Sequence, residues 1–392
     1  MLVQPIPTET RVLVLQGGGA LGAYQGGAYA SLQARGEEPD WIAGISIGAI
    51  NAALIAGNPP ERQVERLRSF WEKASSGFGG VWPGHLPEGA RAILNEGAAW
   101  LVLLRGVPGF FTPRMPPAAA FPLGARGATS VYDTAPLRAT LERLVDFQWL
   151  NLCGPRLSLG AVDVETGNFE YFDSRRTWIT AEHVMVSAAL PPGLPYVEIE
   201  GRAFWDGGLV SNTPLQVVLE EPGDEPLRIY QVDLFNARGD RPGTLAEAAQ
   251  REKDIRYSSR TRLTTDRFAQ LHRLAAAAER LRDKLPEALR DDPDLRLLRG
   301  AAPCRAVRLM HLIHRKQRAE GASKDYEFSR RSMQEHWDEG EADALASLDH
   351  PEWRDHRMGE EGLFVFDHRN PAKTEGQPHP AARPRHLRSV PS

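Results

Sequence analysis

The sequence predicts an α/β fold, a three-layer α/β/α sandwich around a mostly parallel sheet, with a helical C-terminal addition. Three observations lead there. The apolar run Arg11-Val12-Leu13-Val14-Leu15 enters a glycine loop, 16–22, and a helical stretch over 23–33 follows. A second strand-like run, 39–43, enters Gly44-Ile45-Ser46-Ile47-Gly48 and a helical stretch over 49–57, stopped by Gly57 and by Pro59-Pro60. Further strand-like runs occupy 227–235 and 305–314, with helical segments between them.

In chain order, residues 1–10 read as a polar arm, and residues 11–235 as the main domain. A helix over 61–73 carries Val64, Leu67, Phe70 and Trp71 as its apolar positions. Residues 77–128 are rich in Gly, Pro and Ala and hold the apolar clusters 98–104 and 107–111. They read as an insert: either a cap over a binding site or an excursion packed on the core. Asp133-Thr134-Ala135-Pro136 starts a helix to about residue 144, with Asp133 or Thr134 as cap and proline in the first turn. Residues 157–164 and 168–173 flank Glu165-Thr166-Gly167 and read as a β-hairpin.

Residues 236–369 read as mainly helical with one added strand at 305–314. A helix over 244–285 has Leu263, Phe268, Leu271, Leu274 and Leu281 as its expected inward positions, and one over 326–348 has Phe328, Met333 and Trp337. Arg315, Lys316, Arg318, Lys324, Arg330 and Arg331 gather here, as a solvated face or as a contact for an anionic membrane surface. Residues 370–392 have proline and arginine without apolar periodicity and read as disordered.

The chemistry centres on Ser46. Glycines two positions either side of it let the backbone turn tightly, and a serine at a strand-to-helix turn matches a nucleophile elbow. The helix start after the glycine loop exposes backbone N–H groups and about half a positive charge, so it suits an anion. That anion is either a dinucleotide pyrophosphate or the oxyanion of an acyl intermediate. The nucleotide reading wants an acidic residue at the end of the second strand; the Ser46 turn occupies that place, and Glu37, Glu38 and Asp40 precede the strand. Phe204-Trp205-Asp206-Gly207-Gly208 supplies a carboxylate with room beside it. Asp163 and Asp173 are alternative carboxylates in ordinary hairpin alternation, and Asp233 reads as structural. A Ser–acid–His triad would need a histidine after Asp206. None of those from His272 to His386 sits among small residues at a strand end, and His183, His311 and His314 read as packed or surface histidines.

Composition narrows the class. With 392 residues, 42% hydrophobic and 25% charged, the chain can bury a sizeable core as a globular protein. A formal net charge of −4 gives no footprint for nucleic acid. Cys153 and Cys304 form no disulfide framework or metal motif and read as buried thiols. The first residues lack a basic and an apolar signal region, and no apolar run approaches the ~18 residues of a spanning helix. A cytoplasmic protein, at most peripheral to a membrane, is expected.

Taken together, Gly17-Gly18-Gly19-Ala20-Leu21-Gly22, Gly44-Ile45-Ser46-Ile47-Gly48 and Asp206-Gly207-Gly208 resemble the patatin-like phospholipase family over about residues 10–235. The stretch Val186-Ser187-Ala188-Ala189-Leu190-Pro191-Pro192-Gly193 ahead of the aspartate supports the likeness. Beyond about residue 240 the chain is similar to the extra C-terminal region of one bacterial branch. The resemblance implies a Ser46–Asp206 dyad that cleaves lipid or other acyl esters through an acyl-enzyme, without cofactor or metal. It implies an oxyanion hole from the amides of Gly17, Gly18, Gly19 and Ala20, with Gly22, Gly44, Gly48, Gly207 and Gly208 shaping the turns. A carboxylate of ordinary pKa near 4 is a weak base, so the dyad needs desolvation, a hydrogen bond and strong oxyanion stabilisation. The chain departs from many relatives at Leu21, where Arg or Lys is common, and at Gly208, where Ala is common. Competing readings are acyl transfer by the same dyad, a Ser–His–Asp α/β-hydrolase, and a non-catalytic lipid-binding scaffold.

Overall fold

The computed structural model describes residues 9–78, 88–259, 261–300, 305–315, 321, 323–356 and 362–369. The chain begins with β1 (Thr10–Leu15), α1 (Ala23–Ala34), β2 (Trp41–Gly44), α2 (Ile47–Ala56) and α3 (Pro60–Ala74). Next come α4 (Glu88–Arg105), the short strands β3 (Thr112–Pro113) and β4 (Tyr132–Asp133), α5 (Ala135–Leu144) and α6 (Phe147–Leu152). The hairpin β5 (Arg156–Asp163) and β6 (Phe169–Asp173) leads to α7 (Ala181–Ser187), β7 (Val197–Ile199), β8 (Arg202–Asp206), α8 (Leu215–Glu220) and β9 (Leu227–Asp233). The remainder is α9 (Leu245–Tyr257), α10 (Thr261–Arg282), α11 (Pro293–Arg299), β10 (Val307–Ile313), α12 (Arg330–Asp349), α13 (Pro351–Asp355) and β11 (Leu363–Phe366).

Among the described residues, nine strands form one sheet in the order β11-β10-β9-β1-β2-β5-β8-β7, with β6 paired to β5. The strands from β11 to β5 run parallel, and β6, β7 and β8 pair antiparallel. Successive side chains of a strand point to opposite faces. In β1, Leu13 and Leu15 enter a large core shared with α1, α2, α3 and α12, while Val12 and Val14 enter a smaller one with Leu215, Val218 and Leu219 of α8 and Phe268 of α10. Both faces are therefore covered, as a parallel sheet requires, and this is why β1 reads as an unbroken apolar run.

The C-terminal region differs from expectation in three respects. It adds two strands rather than one: β11 continues the sheet beyond β10 through Leu363 to Phe366. The helix expected over 244–285 is broken into α9 and α10. Along α10, Leu263, Leu274 and Leu281 are exposed, whereas Thr265, Phe268, His272 and Ala275 are buried. Those leucines share one helical face, but the opposite face is the one that packs: Phe268, expected inward, enters the smaller core beside Val12 and Val14 of β1. Lys324 is buried and ion-paired rather than part of a basic surface, and Cys153 is exposed. Lys316, Arg318, Cys304, residues 79–87 and residues 370–392 lie outside the described residues.

Candidate functional site

Ser46 forms the turn between β2 and α2 with φ 57 and ψ −125. A non-glycine residue in that region costs of order 1–3 kcal/mol, and the surroundings must hold it there. Here the Ser46 amide donates to the Ser187 carbonyl at 3.0 Å, and the Ser187 hydroxyl donates to the Gly160 carbonyl at 2.7 Å. A side chain at Gly44 would meet the Gly48 carbonyl, and one at Gly48 would meet the Leu15 carbonyl. Both glycines are thus needed for close packing of the turn on the ends of β1 and β2.

The topology brings Asp206 to this turn. On one edge of β5, Arg156 to Leu159 pair with β2, and Ala161 to Asp163 pair with β8 running the other way. β6 occupies the opposite edge. β2 and β8 therefore approach head to head along one edge and meet beside Gly160. Ser46 follows the end of one strand, and Asp206 ends the other.

The Asp206 carboxyl is 1% exposed. Its Oδ1 accepts the Gly208 amide at 2.7 Å, while its Oδ2 is buried without a hydrogen-bond partner. Burial raises its pKa from 3.8 to about 7, with the Ser46 hydroxyl and the Gly208 amide pulling in the lowering direction. The hydroxyl thus stands beside the carboxyl without a well-aligned bond to Oδ2. Catalytic contacts are often loose without substrate and tighten when it binds.

The glycine loop lies against the same spot. Gly17 packs on Ser46, leaving no room for a Cβ between them. Its amide donates to the Asn212 carbonyl at 3.1 Å, so Gly17 is not available as an oxyanion donor, contrary to expectation. Gly18 has φ 173, and Gly19 has φ 56 as the first residue of a short 3-10 turn, Gly19–Gly22, that runs into α1. The amides of Gly18 and Gly19 have no acceptor among the described residues. Leu21 is fully buried in the large core, an environment that suits an apolar side chain.

The remaining candidates have structural work. Asp163 accepts from the Thr166 amide and hydroxyl and pairs with Arg202, and these bonds hold its carboxyl low. Asp173 pairs with Arg156 at 2.8 Å and accepts from Ser158. Asp233 accepts from Gln231 and Ser259 and meets His311. His183 completes a capping box with Thr180, and the rings of His314 and His336 pack 5.0 Å apart. No described histidine is hydrogen-bonded to Ser46 or Asp206. A cavity of about 660 Å³ opens beside Asp40, Asn58, Leu150 and Arg156, at the start of β2 and β5, and is lined by neither Ser46 nor Asp206.

Two neighbours of the site have contacts that the sequence does not announce. Ser187, at the end of α7, holds the Ser46 turn. Asn212 donates through Nδ2 to the Gly17 carbonyl at 3.0 Å and to the Tyr257 carbonyl at 2.8 Å. Its place in Asn212-Thr213-Pro214, between the Asp206 turn and α8, was the available signal.

The chain is thus an α/β sandwich with a serine turn, a buried aspartate and a glycine loop brought together at the strand ends. The patatin-like phospholipase model matches residues 13–219, more than half of the chain, and a second model described as patatin phospholipase matches 255–360. The chain belongs to the patatin-like phospholipase family. No curated protein matches the chain. Among solved structures it is similar to VipD from Legionella pneumophila, with 14% identity over 94% of this chain and 73% of that one, at a TM-score of 0.38. It is also similar to ExoU, crystallised with SpcU from the type III secretion system of Pseudomonas aeruginosa, with 19% identity over 64% of this chain and 49% of that one, at a TM-score of 0.26. These are distant likenesses.

Proposed function

We propose that this protein hydrolyses acyl esters of lipids with Ser46 as nucleophile and Asp206 as general base. The observation that carries this reading is the buried Asp206 Oδ2, left without a partner beside Ser46 in its positive-φ turn. The Ser46 hydroxyl attacks the ester carbonyl carbon and its proton passes to Asp206. The carbonyl oxygen becomes an oxyanion, held by the amides of Gly18 and Gly19 with Ala20 behind them; one such donor is typically worth about 3 kcal/mol in rate. Collapse breaks the ester bond, Asp206 returns the proton to the leaving alcohol, and the acyl group stays on Ser46. Water then attacks the acyl-enzyme, gives a proton to Asp206, and releases the fatty acid as Ser46 is reprotonated. A base titrating near 7 is matched to this task, whereas an ordinary carboxylate is not.

A lipid interface as the place of action is supported by α4, which exposes Trp100, Leu101, Leu103 and Leu104, and by Leu209 and Val210 just after the Asp206 turn. Exposed apolar groups of this kind suit a lipid surface. Among the described residues no helix is long and apolar enough to cross a membrane. Incubation with phosphatidylcholine vesicles is expected to release free fatty acid, and Ser46→Ala is expected to abolish release while the fold survives. Undiminished release by Ser46→Ala would exclude the reading. An added acceptor alcohol that collects the acyl group in place of water would reassign the same dyad to acyl transfer.

A further inference from the structure

We infer that the C-terminal region is part of the catalytic unit: residues from α9 and the 324–326 turn hold the glycine loop in its anion-binding shape, with Lys253, Asp325 and Asn212 as positioning residues. This rests on the proposed role of that loop.

Two contacts carry the inference, one at Gly17 and one at Gly19. At its start, Asn212 joins three segments. Its carbonyl accepts the Gly17 amide, its Nδ2 donates to the Gly17 carbonyl, and the same Nδ2 donates to the Tyr257 carbonyl at the end of α9. Its Oδ1 packs so closely on Gly17 that a Cβ there would collide with it, and it also flanks Gly208 beside Asp206. α9 is thereby tied through one amide group to the loop and to the aspartate turn.

At the next residues the loop meets the turn Lys324–Tyr326. The Asp325 carbonyl sits where a side chain at Gly19 would be, so this turn braces the peptide that precedes the 3-10 segment. The turn is in turn fixed to α9 by crossed ion pairs. Lys253 Nζ lies 2.6 Å from Asp325 Oδ1, and the buried Lys324 Nζ lies 2.9 Å from Asp254 Oδ1. Aromatic rings back both cations: Lys253 stands over Tyr326 and Lys324 over Phe235. Phe235 in turn packs on Tyr257, and its amide donates to the Gln16 side chain at the head of the loop. The circuit of Gln16, Phe235, Tyr257, Asn212 and Gly17 closes around the loop. Tyr257 and Tyr326 are near enough to Asp206 for its charge to raise their pKa values, though burial is the larger cause in each.

An oxyanion donor acts only if its N–H already points at the developing charge, so loosening the brace lowers the rate of chemistry more than substrate binding. The test uses the full chain and a soluble p-nitrophenyl ester. Asp325→Asn, which keeps the backbone brace but removes the ion pair, and Lys253→Met are each expected to lower kcat about tenfold or more with KM within about threefold. The double variant should lose no more than the worse single one, because both remove the same contact. Fluorophosphonate labelling should slow in parallel, and Lys253→Arg should restore most of the rate. Asn212→Ala is the second approach, with the same split. Arg35→Ala removes an exposed ion pair to Asp349 between the same two regions away from the site, and should leave kcat unchanged. Wild-type kcat in folded Asp325→Asn and Asn212→Ala, or raised KM at unchanged kcat, overturns the inference. Retained activity in Ser46→Ala would instead overturn the serine reading, whatever these variants do.

Discussion

The ends of β8 and β9 each carry a buried aspartate, and the protein treats the two in opposite ways. Asp233 is 1% exposed and surrounded by Gln231, Ser259 and His311, so its carboxylate is well supplied with partners. Asp206 is equally buried, yet only one oxygen is bonded, by the Gly208 amide. A folded chain rarely leaves a buried carboxylate oxygen open, because the cost is several times that of an ordinary missing hydrogen bond. Under the proposed mechanism, the difference separates a carboxylate that holds strands and loops together from one kept ready to take a proton.

The comparison is broken most sharply by the same substitution at both positions. Asp206→Asn is expected to cut kcat for ester hydrolysis by ~10²–10⁴-fold, the usual worth of a positioned general base. Asp233→Asn should stay within about tenfold of wild type. Steady-state rates on a soluble ester decide it, and equal losses would erase the distinction.

Stability should change in opposite directions. The folded Asp206 carboxyl keeps its proton up to about pH 7, against an ordinary 3.8. Between those values the folded state binds the extra proton, so stability falls as pH rises from about 4 to about 7. Above that window the full cost, on the order of 4 kcal/mol, is present. Asp206→Asn is therefore expected to be more stable than wild type at pH 8, by up to that amount, with the gain shrinking toward pH 4. Asp233→Asn, which deprives Ser259, Gln231 and His311 of acceptor strength, is expected to lose about 1–3 kcal/mol. Urea unfolding at pH 5 and pH 8 measures both; a destabilised Asp206→Asn at pH 8 would contradict the account.

The smallest expected effect is on the pH profile. Because the base acts without its proton, kcat/KM for wild type should rise about tenfold per pH unit up to near 7 and then level. A profile flat down to pH 5 would mean that Asp206 titrates like an ordinary carboxylate.

Much of this site was legible in the sequence because its parts are local. The glycines around Ser46 and after Leu15, and the pair after Asp206, mark turns that only small residues permit, and each strand-turn-helix unit declares itself within about twenty residues. What was not legible depends on long-range register. Nothing in the run 202–206 says that β8 lies on the β2 edge of β5, yet that pairing is what joins Asp206 to Ser46. The commitment of the Gly17 amide to Asn212 and the burial of Lys324 against Asp254 likewise depend on segments far apart in the chain. The leucines of α10 misled for another reason: Leu263, Leu274 and Leu281 keep helical period on a face that the fold leaves exposed, and periodicity alone does not choose between two faces. Leu363 to Phe366 was too short a run to stand out as β11.

In the proposed reaction Ser46 becomes covalently acylated, with Asp206 as the proton acceptor. Its most direct test is to react the full chain with a fluorophosphonate at pH 8, digest it and locate the adduct by mass spectrometry, in wild type and in Asp206→Asn. One adduct is expected, on Ser46, formed at least a hundredfold more slowly in Asp206→Asn. An adduct on another serine, or equal rates in the two proteins, would contradict it.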